Sequence, residues 1–249
     1  MTKKLISSII VFGISSSLYA GEFGLELGAQ SIELGGNVHY KGPKIDLKND
    51  LKLEGTKTSI KPTLTYITDN EKHKFFLNYE KSNYNSSSKI TRKITFNNEA
   101  YLVGATVNAT LNTQWAQLGY RYNFDSLFDN KLDISAGIDL NIIDLETSLV
   151  TPGINESNNV TAPLPVLVLD LKYNIVDKFA LEAKGAFMTL GSYGDYSEYY
   201  GGINVGIPAV KNFHLKAGYM SKNLNLELSS DEKLKLDYSG AYIGAEYKF

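Results

Sequence analysis

Only His39, His73 and His214 could shuttle a proton near neutral pH in this 249-residue sequence. Hydrolytic chemistry needs such a base beside a nucleophile or an activated water, oriented in turn by a carboxylate. His39 has acids downstream at Asp46 and Asp50, but the spacing sets no serine beside it, and a Gly-x-Ser-x-Gly elbow does not occur. Asp46, Asp50 and Glu54 stand among lysines without the alternate oxygen ligands and central glycine of a calcium loop. There is no cysteine, so neither a thiolate metal site nor a disulfide framework can form. These residues point away from an enzyme and from any cofactor or metal.

The other chemistry-bearing residues are charges that alternate with apolar residues: Arg121, Asp133, Asp139, Asp170, Lys172, Glu182, Lys184, Lys216 and Glu246. Each lies in a stretch whose opposite parity is apolar. Asp133 and Asp139 stand against Ile134, Ala136, Ile138, Leu140 and Ile142, and Arg121 stands against Leu118, Tyr120 and Tyr122. A strand sends alternate side chains to opposite faces, so the charges share one face with many glycines. Mixed charge and small residues suit the crowded interior of a small closed cylinder. The expectation is a lumenal network of ion pairs that fills the cylinder. The alternatives are a narrow channel for small solutes and, behind that, an enzyme at the extracellular rim.

The alternation recurs in about ten segments, over 22–40, 58–68, 73–84, 113–124, 131–143, 164–174, 178–190, 197–207, 212–224 and 236–249. Each is near the roughly 9–11 residues that cross a bilayer at a tilt. The first segment slips phase between Ala29 and Ile32, which predicts a bulge. Long connections are expected over 41–57, 81–112, 145–163 and 224–235, alternating with short turns; the link at 191–195 is short where a long one is due. Ile45, Leu47, Leu51 and Leu53 would pack the first long loop on the rim. Aromatics on the apolar face gather beside the short turns (Tyr120, Tyr122, Phe124, Tyr173, Phe179, Phe213, Tyr247, Phe249), as an interfacial girdle would. His73 and His214 flank short turns, and only His39 falls near the outer end.

Lys3 and Lys4, the apolar run 5–14 and the small residue Ala20 read as a secretory signal peptide over 1–20, leaving one domain over 21–249. A formal charge of −2 is no nucleic-acid footprint. Beyond residue 20 no apolar run approaches the roughly 18 residues of a transmembrane helix. The fold expected is therefore all-β: a closed, antiparallel, up-and-down transmembrane β-barrel of about ten strands (eight as the alternative) with periplasmic termini. Its place is the cell outer membrane, and its surroundings are outer-membrane lipid and lipopolysaccharide. A monomer is expected.

Gly244, Tyr247 and Phe249 carry a resemblance: the spacing glycine, aromatic, terminal phenylalanine is similar to the C-terminal signature of bacterial outer-membrane proteins. That resemblance implies recognition by the β-barrel assembly machinery. The region 21–249 resembles the small barrels of the OmpA/OmpW-like superfamily, including uncharacterised proteobacterial members. Such families usually have eight strands, from which about ten departs. The omptin-like proteases also have ten, but their aspartate pair and Asp–His pair are not visible in this sequence.

Overall fold

The computed structural model describes residues 21–53, 55–189 and 191–249; the expected leader over 1–20 lies outside the described residues. In chain order the strands are β1 (Gly21–Tyr40), β2 (Ile45–Asp46), β3 (Thr56–Thr68), β4 (His73–Lys89), β5 (Ile94–Phe96), β6 (Glu99–Tyr101), β7 (Thr106–Asn123), β8 (Leu132–Thr151), β9 (Ile154–Val176), β10 (Phe179–Thr189), β11 (Gly194–Gly206), β12 (Phe213–Ser229) and β13 (Glu232–Lys248). Ten long strands form an antiparallel meander, β2 pairs along the top of β1, and β5–β6 is a separate hairpin. The ring closes where β13 pairs with β1, from Gly24–Lys248 to Tyr40–Glu232. At the seam the Phe249 amide donates to the Phe23 carbonyl at 2.8 Å, and the Phe23 amide donates back at 3.1 Å. Closure leaves no unpaired backbone edge facing hydrocarbon, which is the condition for a sheet to cross a bilayer.

The end with the short turns is the periplasmic one by the convention of such barrels. Over that half the outward face is apolar: Leu25 and Leu27 on β1, Leu118 on β7, Ile138 and Leu140 on β8, and Leu167 and Leu169 on β9 are exposed on the outside. Aromatics bound this belt at both levels. Tyr122, Phe124, Tyr173, Tyr247 and Phe249 mark the periplasmic level, and exposed Tyr79, Phe187, Tyr199 and Tyr219 mark the outer one. The sequence pattern had pointed to the periplasmic girdle only.

The phase slip expected in β1 does not occur. Its pairing with β13 and with β3 runs without interruption through Ala29 and Ile32. What changes is the composition of the inner face. Glu26, Gly28 and Gln30 point inward near the periplasm; Ile32 and Leu34 follow them inward and are buried. The same inversion occurs on β8, where Ile142 lies outside and its neighbour Ile143 lies inside, fully buried. Above this level the inside is apolar and the outside is polar.

The strands are accordingly much longer than a bilayer requires: 20 residues in β1 and β8 and 23 in β9. Most of the sequence expected in the loops 81–112 and 145–163 is strand. Their upper parts stand in water, where apolar side chains drive inward as in any soluble β-protein. The short link near 191–195 is explained by β10 and β11, which are only 11 and 13 residues long and scarcely rise above the belt.

Prolines set where the wall opens. On β3 the even-numbered residues direct their backbone groups toward β4, and Pro62 has no N–H to give. The β3–β4 ladder stops one residue before it, at Thr63–Asn78. On β9 the Asn174 amide bonds to Lys131 beside β8, so odd-numbered residues direct theirs toward β10. Pro163 and Pro165 therefore leave the β8 ladder intact, and the β9–β10 ladder ends just below them at Leu167–Phe187. Confinement of proline to unpaired edges is the general rule. The upper molecule is thus two facing sheets, β4–β7–β8–β9 and β3–β1–β13–β12, around one core.

Candidate functional site

The lumen is built in three layers. In the lowest, Arg121 on β7 is 2 % exposed and forms a bidentate pair with Asp139 of β8, with a second carboxylate from Asp170 of β9. Lys184 on β10 lies 3.5 Å from Asp139 and 3.0 Å from Glu198 of β11. Lys216 on β12 bridges Glu26 of β1 at 2.6 Å and Glu246 of β13 at 3.0 Å. Glu182 accepts from the Asn204 amide at 2.7 Å. Charges buried in a protein interior persist when paired and hydrogen-bonded, and this layer supplies both.

Glycine makes room for the layer's rings. Phe76, the residue that breaks the alternation of β4, turns inward and lies over Gly119, where any Cβ would collide with the ring. Its face also carries the Arg121 guanidinium, 5.1 Å from the ring centre.

A second layer closes the first. Lys222 reaches Glu80 across the lumen at 3.1 Å, and Ser59 donates to the same carboxylate at 3.2 Å. The Lys222 ammonium sits 5.1 Å over the Trp115 ring, which packs between Tyr196 and Tyr238 at 6.0 Å from each. The Tyr196 hydroxyl donates to Glu198 at 3.0 Å and ties the two layers together.

Above Trp115 the lumen is lined mainly by apolar side chains. Ile32, Leu34, Leu111, Ile143, Leu145, Leu224 and Leu236 line it from the walls. The first long connection folds into this space and not onto the rim, so that Ile45, Leu47, Leu51 and Leu53 are each at most 1 % exposed. The β5–β6 hairpin covers the mouth with Phe96 and Tyr101 and is tied down on both sides. Asn97 and Asn98 donate their amides to the Tyr40 and Lys41 carbonyls, and the Tyr101 hydroxyl donates to the Leu149 carbonyl at 2.9 Å. Burial pushes the Tyr101 phenol up to about 12. Arg92 clamps the two loops by donating to the Lys44 carbonyl at 2.8 Å and to the Asp50 carboxylate.

A cavity of about 990 Å³ opens at the periplasmic end and runs up among the lowest charged layer, from the turn 69–72 to Lys61, Gln117 and Lys184. Lys61, Lys74 and Lys172 line it beside the ion pairs already described. Cations and carboxylates interleave on the inner wall, where Lys61, Lys74 and Lys172 stand among Glu26, Glu182, Asp170 and Glu246.

Of the network expected from sequence, Arg121, Asp139, Asp170, Lys184, Lys216 and Glu246 are joined by ion pairs. Lys172 lines the cavity. Asp133 is placed apart, at the rim, where it accepts from Ser126 at 2.6 Å and from Asn174 at 3.0 Å. Glu26, Glu80, Glu198 and Lys222 belong to the network and were not in the expected set, although each falls on the polar parity of its strand. His39 lies opposite Lys233, while Asp50 is held by Arg92 and Asp46 accepts the amides of Lys48 and Asn49. Among the described residues no cluster of three or more metal-ligating side chains occurs. Gly244 faces inward beside Tyr242 and Glu26, whereas Tyr247 and Phe249 face outward, exposed and stacked at 6.2 Å.

No protein-family model matches the chain, and no curated sequence is significantly similar to it. Solved structures do resemble it in fold. The outer membrane protease OmpT of Escherichia coli matches over 94 % of this chain and 98 % of its own, with a TM-score of 0.58 at 10 % identity. The β domain of the Bordetella autotransporter BrkA matches over 92 % and 100 %, with a TM-score of 0.51 at 12 % identity. The fold is that of outer-membrane β-barrels, and the apolar belt places the chain in that membrane.

Proposed function

We propose that the protein is a sealed outer-membrane barrel that acts through its extracellular surface and passes no solute. The observation that carries this reading is the plug: the lumen above Trp115 is filled by side chains from the walls, the first long connection and the β5–β6 hairpin. An aqueous path would have to cross that apolar core. The periplasmic cavity favours a channel as the second reading, but its lining ends below Trp115. In this reading lipid and lipopolysaccharide surround the belt of a monomer. Gly244, Tyr247 and Phe249 form the signal read by the assembly machinery, with the two aromatic rings offered on the outside.

The test is electrical. Purified protein, refolded and inserted in a planar bilayer, should leave the conductance at the lipid background. Steady single-channel openings would sink the sealed-barrel reading and support the channel.

A further inference from the structure

The four-stranded upper sheet has two open edges, and they are treated differently. On the β4 edge, lysines stand outward at Lys81 and Lys89, and the first connection lies against the strand, with Ser86 donating to the Leu51 carbonyl. Charged residues and covering loops are the ordinary protections of a sheet edge. On the β9 edge, Pro163 and Pro165 guard only the base. Over residues 154–162 there is no proline, no lysine and no bulge in the pairing with β8; the one charge, Glu156, points inward and accepts from the Asn97 side-chain amide of the hairpin at one carboxylate oxygen. At ~3.3 Å per residue this is about 30 Å of bare strand edge.

The backbone groups left over are identifiable. By the parity established at Asn174, the N–H and C=O of Asn155, Ser157, Asn159 and Thr161 point away from β8, and no backbone partner meets them among the described residues. The flank of the core is uncovered at the same place: Ile154 and Val160 pack on it yet remain partly exposed. An edge of this kind recognises an extended polypeptide, whose backbone completes the ladder and whose alternate side chains cover the flank.

We propose that the β9 edge over residues 154–162 is a strand-addition site at the cell surface, taking an extended segment of another protein. The incoming strand would run antiparallel to β9. Its inward side chains would be apolar, against Ile154 and Val160, with a cation opposite Glu156. A second copy of this chain is the poorer occupant. Beneath the open edge β10 and β11 continue the wall in the membrane, about two strand widths or roughly 10 Å, and hold an upright neighbour away from it. A single strand, about 5 Å across, fits the step. The proposal deepens the reading of a sealed barrel acting through its extracellular surface and rests on it, but the conductance test and the test below fail separately.

The probe is a fluorescent nonapeptide of alternating valine and threonine with one lysine placed to face Glu156. Its binding to the refolded barrel in detergent is followed by anisotropy. Saturable binding is expected. The double change Ser157→Pro and Asn159→Pro removes two outward N–H groups while sparing the β8 ladder, and should weaken binding about tenfold or more, the worth of two backbone bonds. Asn159→Ala should leave it within about twofold, since the backbone and not the side chain is read. If the proline variant does not fold, judged by unchanged gel mobility on boiling, the peptide N-methylated at alternate residues decides the matter on wild-type protein. Absence of saturable binding, or equal binding of the methylated peptide, would overturn the proposal. So would a dimer of the protein that the proline pair dissolves, because the edge would then serve a second copy.

Discussion

The two halves of this barrel are made from the same strands and obey opposite rules. In the membrane half polar side chains face in and apolar ones face out; in the upper half the faces exchange chemistry without exchanging direction. On β1, β7 and β8 the backbone does not mark the change, because their ladders continue through it. The solvent marks it. Where the surroundings are lipid, an outward Leu118 or Leu140 lies in apolar medium, and the strand can spend its inward positions on ion pairs. Where the surroundings are water, the only source of stability is a dry interior. One strand thus reads two solvents in sequence, and the deck of Trp115, Tyr196 and Tyr238 is the junction between them.

The largest effect is expected from removing the group that lets the lower half be polar. Arg121→Met leaves Asp139 buried without its bidentate partner and should cost about 3–5 kcal/mol, as the loss of one member of a buried pair does. Urea unfolding of the refolded protein in lipid vesicles measures it. The companion change Asp139→Asn in the same chain should recover most of the loss, because it removes the excess negative charge left in the layer, while Lys184 keeps Glu198. A double variant as unstable as the single one would show that geometry, not charge, sets the cost.

The lower half was legible in the sequence because lipid enforces a strict parity over each strand, and one parity carried almost all the charge. The upper half was not, because its parity runs the other way. Read with a single inside–outside rule, Ala29 to Ile32 resembles a bulge and 145–163 resembles a loop. The signal that marks the exchange is a doublet of large residues at one level: Ile142 outside, then Ile143 inside. The pairs themselves lay beyond the sequence. Glu80 meets Lys222 and Lys216 meets Glu26 only because strand tilt and register bring distant strands to one height across the lumen. Asp133 shares its parity with Asp139 but sits nearer the periplasmic end of β8, which a pattern of alternation cannot rank.

Large-to-small change in the upper core should come next in size. Leu145→Ala, at a position 2 % exposed, should cost about 2–5 kcal/mol in the same unfolding assay. A loss below about 1 kcal/mol would mean that the upper sheets do not share a packed core. The outer faces can be compared on a single strand. Ile138→Arg puts a cation near the middle of the apolar belt and should cost about 2–4 kcal/mol, whereas Ser148→Arg, further up the same face of β8, should fall within about 0.5 kcal/mol of wild type. Equal effects at the two sites would refute the change of solvent along β8.

The smallest effect concerns how the plug is held. Burial alone would raise the Asp50 carboxyl, but the Arg92 guanidinium and the Asp46 backbone hold it below its ordinary value of 3.8. A depressed pKa contributes stability that is fully present above the unfolded value and is lost as pH falls through the folded one. The contribution should therefore be constant at neutral pH and disappear on acidification below about pH 4. Both partners touch water, so its size is that of a surface pair, about 0–1 kcal/mol. The difference between wild type and Asp50→Asn isolates this carboxyl from the others. Thermal midpoints of the two proteins should differ at pH 7 and converge toward pH 3; a gap that stays constant would mean that Asp50 holds the loop by shape and not by charge.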